Sequence, residues 1–564
     1  MSEYETVDEQ IYRVLNEVRL SGNFGGTARI STSDDFRKEK FFPVMDVLDG
    51  CPAASVGSAY DGEKYYPLAW DGRRHLVTIA PTQTGKSATV LMQTLLTFSG
   101  SALVMDIKGE LSAVTARRRR NMGQKVFILN PFDVMADEYK ARGFDSFARF
   151  NPLSVLNTKS PLYAVSVKRI CEAIIKDTGH DSHWADSARD LVAARIMYLC
   201  ENCPPDERTL ANVRAFLTLN GDAFDSEIGI MCDEGSKAVR QKSIRFLHAT
   251  NETSGILSSA RTQTDFLDDA ALNRCLSVSD FNFLDLKHGK MTIYLVLPAV
   301  VVDVYARWFR LLVSSALDAL MSTPDKGDAP VLFLLDEFAQ LGRMASIEQA
   351  MSLAAGYGVQ MWPIVQDIHQ LKGIYGDRWQ TFLSNAGVVQ FFTPNDLQTA
   401  EYISKRAGVT TRVGHEFSSK APMNPSKRIR KTPHGELNVI ETGAGFNKVL
   451  RQSSLLSADD VIDLPRSQQI IFCAGNKAVF KIGRKPYWTV PALQGLYDEN
   501  PYHKGAPQEE SIGVLDGAVS EKDVKNQERV ENKSLLRSVF QFVLGVGLVV
   551  AAAFAFIAFM TWLN

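Results

Sequence analysis

The sequence has few cysteines, little net charge and only one long apolar run. Its 7 cysteines are scattered and odd in number, which argues against an oxidising compartment and a disulfide framework. The formal net charge of −2 excludes a uniformly basic nucleic-acid coat, although it does not exclude a local basic channel. With 45% hydrophobic and 22% charged residues, the chain is an ordinary globular protein of roughly two to four domains.

The single long apolar run stands at the C-terminus. From Ser538 onward no residue is charged, and Val539–Leu563 is almost entirely apolar. This run exceeds the roughly 20 residues that cross a bilayer. Lys533 and Arg537 flank its N-terminal side, which predicts that the bulk of the chain is cytoplasmic. We therefore predict a transmembrane helix over 537–564.

The segment Ala80–Ser87, APTQTGKS, fits a phosphate-binding P-loop, with Ala80 in place of the usual first glycine. It lies between the apolar run Leu76–Ile79 and a helix-like segment. A nucleoside triphosphate carries several negative charges, so the loop must offer backbone N–H groups and a helix N-terminus. Gly85 lets the backbone approach the phosphates, Lys86 reaches the β and γ oxygens, and Ser87 offers a hydroxyl to Mg²⁺.

A second motif is the apolar run Val331–Leu335, which ends in Asp336 and Glu337. Asp336 suits the Mg²⁺ shell, directly or through water. Glu337 is placed to polarise the attacking water as a general base. Adjacent acids favour an ATPase over a kinase, because water must be activated. The predicted nucleotide-binding residues are Ala80, Pro81, Thr82, Gln83, Thr84, Gly85, Lys86, Ser87 and Asp336, with ATP and Mg²⁺ as ligands and with Ser87 and Asp336 on the metal.

Two further polar residues follow predicted strands. Gln366 comes directly after Gln360–Val365, where it could sense the γ-phosphate. Asp106 ends another predicted strand. It could touch the metal shell, hold the P-loop in place, or simply begin a turn. Lys86, Glu337 and Gln366 are thus the catalytic candidates within one chain.

Ring-shaped ATPases insert an arginine from one subunit into the site of the next to stabilise transition-state charge. Arg343, Arg378 and Arg406 all follow the acidic strand at suitable distances. We prefer Arg378 as the catalytic candidate because it follows soon after Gln366.

Apolar strand-like runs alternate with helical segments, as in an α/β sheet buried on both faces. The strand signal stops after Asn151 and resumes at Thr292, which predicts an α/β fold interrupted once by an all-α domain. The predicted domains are an N-terminal lead-in (1–60), a discontinuous nucleotide-binding domain (61–150 and 273–497), an all-α insertion (151–272), a flexible polar tether (498–536) and the transmembrane helix (537–564).

The segment Val413–Asn447 is polar and interrupted by prolines, and it contains a basic cluster. A solvated loop and a nucleic-acid or pore contact are both compatible with this composition. The cluster consists of Lys427, Arg428, Arg430 and Lys431.

Between about Gly22 and Trp488 the sequence resembles the type IV secretion coupling proteins, the TraG/TraD-type ATPases of conjugation. The acidic-strand block with its Phe-Ala-Gln-Leu-Gly extension is more specific to this family than the P-loop alone. The matching segments are Gly25–Arg29, Ala80–Ser87, Asp106–Glu110, Leu335–Gly342, Gly356–Gly358 and Gln366–Gly376.

This resemblance implies a RecA-like P-loop NTPase domain with an inserted all-α domain, assembled as a homo-hexamer at the bacterial inner membrane. It implies binding of DNA without sequence specificity and recruitment of a relaxase–DNA complex or effector proteins. ATP hydrolysis would then deliver this cargo to the type IV secretion channel components. The family usually carries its transmembrane helices before the P-loop, whereas the candidate here lies at the other end.

The sequence leaves two alternative functions open. An FtsK-type DNA translocase has related chemistry but would require a DNA-reading domain after the motor, where this chain has a polar stretch and an apolar run. A nucleotide-gated cargo adaptor that does not hydrolyse ATP would not need the pair Asp336 and Glu337.

Overall fold

The structure, a computed structural model, describes residues 28–31, 41–43, 52–60, 65–176, 182–247, 250–417, 428–431, 437–440 and 446–503. Nearly all of them belong to one unit, Met1–Ala59 with Tyr66–Gly505. A second unit, Tyr60–Tyr65 with Ala506–Asn564, lies almost wholly outside the described residues, and so does the predicted transmembrane helix. Among the residues described, none of the helices combines the length and the apolar character that a membrane span requires.

The strands of the described residues form a main sheet of 13 and a small sheet of 4. In chain order they are β1 (Arg29–Ile30), β2 (Phe41–Pro43), β3 (Ala54–Tyr60), β4 (Tyr65–Trp70), β5 (His75–Ile79), β6 (Ala102–Ile107), β7 (Lys125–Leu129), β8 (Met291–Leu297), β9 (Val331–Leu335), β10 (Val359–Val365), β11 (Ala386–Phe392), β12 (Val409–Phe417), β13 (Arg428–Lys431), β14 (Leu437–Ile440), β15 (Phe446–Ser454), β16 (Gln468–Cys473) and β17 (Ala478–Gly483).

The main sheet has the order β2-β4-β3-β17-β16-β11-β5-β10-β9-β6-β8-β7, and β1 pairs with β17. From β11 to β7 all neighbours run parallel. The pairs β11–β16 and β16–β17 are antiparallel. The α/β fold predicted from the alternation of apolar runs is therefore confirmed, with an antiparallel extension on one side.

The parallel strands are mostly apolar because both faces of the sheet are covered. All five residues of β5 are buried. Val77 and Ile79 pack into the core on one face, whereas Leu76 packs into the core on the other. Because side chains alternate along a strand, a continuous apolar run is the pattern that such a position requires.

Between β7 and β8, all regular elements of the described residues are helices. In chain order the α-helices are α1 (Met92–Thr97), α2 (Glu110–Asn121), α3 (Ala136–Ala141), α4 (Tyr163–Ile174), α5 (Ser182–Asn202), α6 (Leu210–Thr218), α7 (Asp222–Glu234), α8 (Lys237–Ser243), α9 (Asn251–Gln263), α10 (Ala270–Cys275), α11 (Asp285–His288), α12 (Val302–Met321), α13 (Ala345–Leu353), α14 (Ile368–Tyr375), α15 (Gln380–Asn385), α16 (Leu397–Ala407) and α17 (Ala458–Ile462).

Side-chain caps set the starts of several helices in this region. The hydroxyls of Thr209, Ser236 and Thr250 accept N–H groups at the starts of α6, α8 and α9, and the carboxylate of Asp269 does the same for α10. Each such cap satisfies a backbone donor that the helix itself leaves free. The helical run extends to α11, beyond the predicted end of the insertion at residue 272.

Three segments differ from their predicted structure. The N-terminal lead-in contributes β1, β2 and β3 to the main sheet, where Ala54–Tyr60 lies between β4 and β17 although most of its residues are small and favour strand only weakly. The polar segment 413–447, for which a solvated loop was one of two possibilities, contains β13 and β14 of the small antiparallel sheet. Only its backbone pairing is described.

The third difference concerns the start of the predicted tether. Residues 498–503, here called the strap, pack against α2 instead of leaving the domain. Asp498 pairs with Arg117 (2.7 Å), and Asn500 donates to Glu110 (2.7 Å). The polar side chains of the strap find specific partners on α2, and composition alone cannot show such partners. The composition therefore predicted a flexible segment where the structure has a packed one.

Candidate nucleotide-binding site

The predicted P-loop leaves the sheet at the end of β5, between β11 and β10. The N–H of Ala80 donates to Val365 of β10 (2.8 Å), and the chain then turns through left-handed residues at Gln83 (φ +57°) and Gly85 (φ +78°). Ala80 itself is fully buried and has no positive φ. A Cβ is therefore tolerated at the position where the motif usually has its first glycine.

The N–H groups of this loop are available for a ligand. Within the described residues, no protein acceptor takes the N–H groups of residues 82 to 86. The helical segment Ser87–Leu91 begins directly after them and continues into α1. Free N–H groups followed by a helix N-terminus form a site for phosphate oxygens.

The side chain of Arg484 contacts the P-loop backbone, a role that the sequence did not indicate. Its guanidinium donates to the carbonyls of Thr84 (2.7 Å), Gln468 (3.1 Å) and Arg466, and it stacks on the Phe392 ring at 3.8 Å. Burial lowers the pKa of Arg484 to about 9. Because nothing in the local sequence around Arg484 differs from an ordinary strand end, only the fold reveals this contact.

Lys86 is the centre of the site. Its Nζ lies 2.9 Å from Oδ1 of Asp336 and is also hydrogen-bonded to Oε1 of Glu337. Burial would lower the pKa of Lys86, but the charges of Asp336 and Glu337 and their hydrogen bonds outweigh burial and raise it. The lysine is therefore a cation held by two carboxylates, and phosphate oxygens would compete with them for it.

Asp336 and Glu337 leave the sheet at the end of β9, on the other side of β10 from the P-loop strand. Glu337 has a left-handed backbone (φ +49°), and its N–H donates to Asp336 Oδ1 (3.0 Å). Burial would raise the pKa of Glu337, but Lys86 and hydrogen bonds from Lys86 and Gln366 lower it overall. The carboxylate is thus ionised and fixed in direction.

Gln366 follows β10, the strand between those of the two motifs. Its Nε2 donates to Oε2 of Glu337 (3.1 Å), while its own N–H is held by the side chain of Gln370 (2.9 Å). Lys86, Asp336, Glu337 and Gln366 therefore come together at the carboxyl ends of three adjacent parallel strands, where ligands of α/β folds bind.

The donor set also fits a magnesium ion. The Ser87 hydroxyl has no hydrogen-bonding partner in the part of the chain that the structure describes. The Asp336 carboxylate contacts Lys86, the residue that directly precedes Ser87 in the P-loop. Hydroxyl and carboxylate oxygens are hard ligands, and Mg²⁺ usually completes its shell with phosphates and water. Ser87 and Asp336 are thus suitable for the ion.

Asp106 does not join this cluster. Its carboxylate accepts the N–H groups of Leu111 (3.1 Å) and Ser112 (2.7 Å) in its own following helix α2. Burial raises its pKa to about 7. Three roles were open for Asp106 from the sequence, and its contacts fit a turn into a helix. Among the described residues, its carboxylate contacts neither the P-loop nor Asp336.

None of the three candidate arginines contacts Lys86 within the described residues. Arg378 is exposed and pairs with Glu348 (2.5 Å). Arg406 stacks on Phe472 at 4.6 Å, and the carbonyl of Arg343 accepts from Arg310 (2.8 Å). A role for Arg378 in a neighbouring subunit's site stays a prediction, with which its 68% exposed side chain is compatible.

A mainly parallel sheet with a P-loop on one strand and a carboxylate pair two strands away defines a P-loop NTPase fold. The model of the family described as type IV secretory system conjugative DNA transfer matches residues 29–509. The chain belongs to this family, as its motifs predicted.

Individual relatives give the same assignment. Protein VirD4 of Rhizobium radiobacter is 30% identical over 439 residues, covering 75% of this chain and 58% of VirD4. The conjugal transfer protein TraG of Escherichia coli is 26% identical over 526 residues, covering 86% of this chain and 78% of TraG. The chain thus spans about three fifths of the length of the VirD4 relatives it matches.

Among solved structures, the bacterial conjugative coupling protein TrwB in its unbound monoclinic form has a similar fold. The TM-score is 0.57 at 17% sequence identity, covering 82% of this chain and 96% of that one. TrwB has also been solved with the ATP analogue ADPNP, with a TM-score of 0.56 at the same identity.

Proposed function

We propose that this chain is the coupling ATPase of a type IV secretion or conjugation system, which hydrolyses ATP to deliver cargo to the secretion channel. The observation that carries this proposal is the contact of Lys86 with both Asp336 and Glu337, with Gln366 on the second carboxylate. A phosphate-binding lysine beside an oriented general base is the arrangement that hydrolysis of a phosphoanhydride requires. The family match supports the cargo-transfer role.

In this proposal, the free N–H groups of residues 82 to 86 and the Lys86 ammonium bind the triphosphate. Ser87 and Asp336 would hold Mg²⁺, which when bound would neutralise charge on the phosphate oxygens. Once Lys86 turns from the carboxylates to the phosphates, Glu337 is free to accept a proton from the attacking water. Gln366 keeps the Glu337 carboxylate pointed at that water.

The larger assembly is part of the same proposal. We assign nucleotide binding to a RecA-like domain (61–150 and 273–497) and cargo selection to the helical region predicted over 151–272. A homo-hexamer would place Arg378 in the neighbouring subunit's site. DNA bound without sequence specificity, a relaxase–DNA complex or effector proteins would be the cargo, and the channel components the acceptor.

The experiment is steady-state ATP hydrolysis by the purified chain, with and without single- and double-stranded DNA. The proposal predicts Mg²⁺-dependent turnover in the wild type and loss of turnover in Glu337→Gln. Stimulation by DNA would favour DNA cargo. Nucleotide binding without any turnover, with or without DNA, would contradict the proposal and favour a nucleotide-gated adaptor.

Anchoring at the bacterial inner membrane is proposed from the uncharged run after Arg537 alone. Expression of the full chain and of a chain ending at Arg537, followed by membrane fractionation, tests it. The full chain is expected in the membrane fraction and the shortened chain in the supernatant. Equal distribution of both chains would contradict an anchor in this run.

The basic cluster at Lys427, Arg428, Arg430 and Lys431 is a proposed DNA contact. Part of it forms the strand β13 of the small sheet. Replacing all four residues with glutamine should weaken DNA binding and flatten its dependence on salt, because fewer counterions are released. An unchanged salt dependence would indicate a solvated surface.

A further inference from the structure

The motif Asp106–Glu110 has no part in the nucleotide site as proposed so far. Its strand β6 lies directly beside β9, and Met105 is the register partner of Leu335. The turn that follows β6 therefore leaves the sheet next to Asp336 and Glu337. Because these strands are parallel, residues after Ile107 lie at the same edge as the nucleotide site.

Lys108 in this turn has a backbone that is rare for a side chain of its size. Its φ is +83°, and Gly109 follows with φ +76°. A Cβ at position 109 would lie 2.6 Å from the hydroxyl of Tyr139. Strained residues of this kind persist where the surroundings fix them, and they occur often at ligand sites.

The surroundings of Lys108 do fix it. Its N–H donates to Leu297 of β8 (3.0 Å), and its carbonyl accepts from the Tyr502 hydroxyl of the strap (2.9 Å). The strap is itself attached to α2 by Asn500 and Asp498. The backbone of Lys108 is thus held from both sides, once by the sheet and once by the C-terminal segment.

The ammonium group, by contrast, is uncommitted. Lys108 is exposed, and no hydrogen bond or ion pair of its side chain occurs within the described residues. The nearby acids have other partners: Asp106 accepts from α2, and Glu110 accepts from Asn500. A free cation therefore stands on the turn after β6, which neighbours β9, the strand of the general base, on the side away from the P-loop strand β5.

We propose that Lys108 is a second phosphate-binding cation of the nucleotide site, which contacts the terminal phosphate of the triphosphate beside Glu337, and that the strap holds it there through Tyr502. This inference rests on the proposed nucleotide site. It predicts discrimination between triphosphate and diphosphate, because ADP lacks the phosphate that Lys108 contacts. It also links the C-terminal segment of the domain to nucleotide recognition.

The test is titration calorimetry of ADPNP and ADP, each with Mg²⁺, against the full chain and its variants. Lys108→Gly removes the cation while suiting a φ of +83°, so it should fold at least as stably as the wild type. Its affinity for ADPNP should fall about tenfold, whereas its affinity for ADP should stay unchanged. Lys108→Arg should retain most of the ADPNP affinity, and Lys125→Ala on the distant strand β7 is the matched control.

Tyr502→Phe removes only the hydroxyl that holds the Lys108 carbonyl. It should lower ADPNP affinity in the same direction, by roughly two- to threefold, as expected for one neutral hydrogen bond. An unchanged ratio of ADPNP to ADP affinity in this variant would overturn the role of the strap. Equal losses for both nucleotides in Lys108→Gly, or no loss, would overturn the phosphate contact.

Failure of this inference is distinguishable from failure of the proposed function. A wild-type chain that binds neither ADPNP nor ADP would contradict the proposed function itself. A wild-type chain that binds both, with an unaltered Lys108→Gly variant, would contradict only the role of Lys108.

Discussion

Two aspartates end neighbouring parallel strands, and their surroundings give them different roles. Asp106 is the second-last residue of β6, and Asp336 directly follows β9; each comes one residue after the register partners Met105 and Leu335. Asp106 is fully buried and accepts N–H groups of its own helix. Asp336 faces Lys86 from another strand. A carboxylate at a strand end is therefore a site residue only when a cation from a different element meets it.

The largest effect is expected from removing Lys86, the cation that Asp336 contacts and Asp106 does not. Replacing Lys86 with alanine should lower ATP hydrolysis by roughly 100-fold or more, because the phosphate charge loses its main side-chain partner. Lys125→Ala, which changes an exposed lysine on β7, is the control and should leave the rate unchanged. Hydrolysis at the wild-type rate in Lys86→Ala would refute the site.

Removal of the charge from Asp336 should act through the metal. In Asp336→Asn the Mg²⁺ concentration for half-maximal hydrolysis should rise roughly 10- to 100-fold, because a carboxylate ligand or its water contact is lost. A Mg²⁺ titration of the hydrolysis rate measures this shift, with the exposed Asp137→Asn as the control. An unchanged Mg²⁺ requirement would place the metal elsewhere.

Gln366 acts on the other carboxylate of the pair. Gln366→Ala should lower kcat about tenfold with little change in KM, because it orients the base and does not bind the ground state. Steady-state kinetics separates the two constants, and Gln380→Ala at the exposed start of α15 is the control. A higher KM at constant kcat would instead assign Gln366 to substrate binding.

For Asp106 we expect an effect on stability and its pH dependence. Burial raises the pKa of Asp106 from 3.8 to about 7, so the folded state binds the proton more tightly than the unfolded state. The stabilisation is fully present below pH 3.8 and is lost as the pH rises through about 7, at about 1.4 kcal/mol for each pKa unit. Asp106→Asn should therefore flatten the fall of Tm between these values.

Thermal unfolding of the wild type and of Asp106→Asn across this pH range measures the difference. Asp137→Asn, exposed on α3, should keep the wild-type slope. A slope in Asp106→Asn equal to that of the wild type would show that Asp106 ionises in the folded protein as it does in the unfolded chain.

The central strands and the two main motifs were predictable from sequence because each leaves a strong local pattern. An apolar run such as Val331–Leu335 is typical of a strand that is buried on both faces of a sheet. A Gly-Lys-Ser sequence soon after such a run indicates a phosphate loop. The role of Asp106 was left open because a strand-end acid has the same local pattern whether it meets Lys86 or its own helix.

Other features could not be predicted because their causes are distant in sequence. Arg484 acts on Thr84 across the fold, and Tyr502 acts on Lys108 in the same manner. The strand at Ala54–Tyr60 also depends on its neighbours β4 and β17, because its own residues favour strand only weakly. Long-range contacts of this kind leave no periodicity at either end.

ATP hydrolysis by Glu337→Gln and Asp106→Asn, measured side by side with the nucleotide that each retains after gel filtration, tests the central claim most directly. Glu337→Gln should lose roughly 100-fold or more in turnover and retain bound ATP. Asp106→Asn should turn over at close to the wild-type rate at a temperature where it is folded. Wild-type turnover in Glu337→Gln, or an equal loss in the folded Asp106→Asn variant, would contradict the separation of the two strand ends.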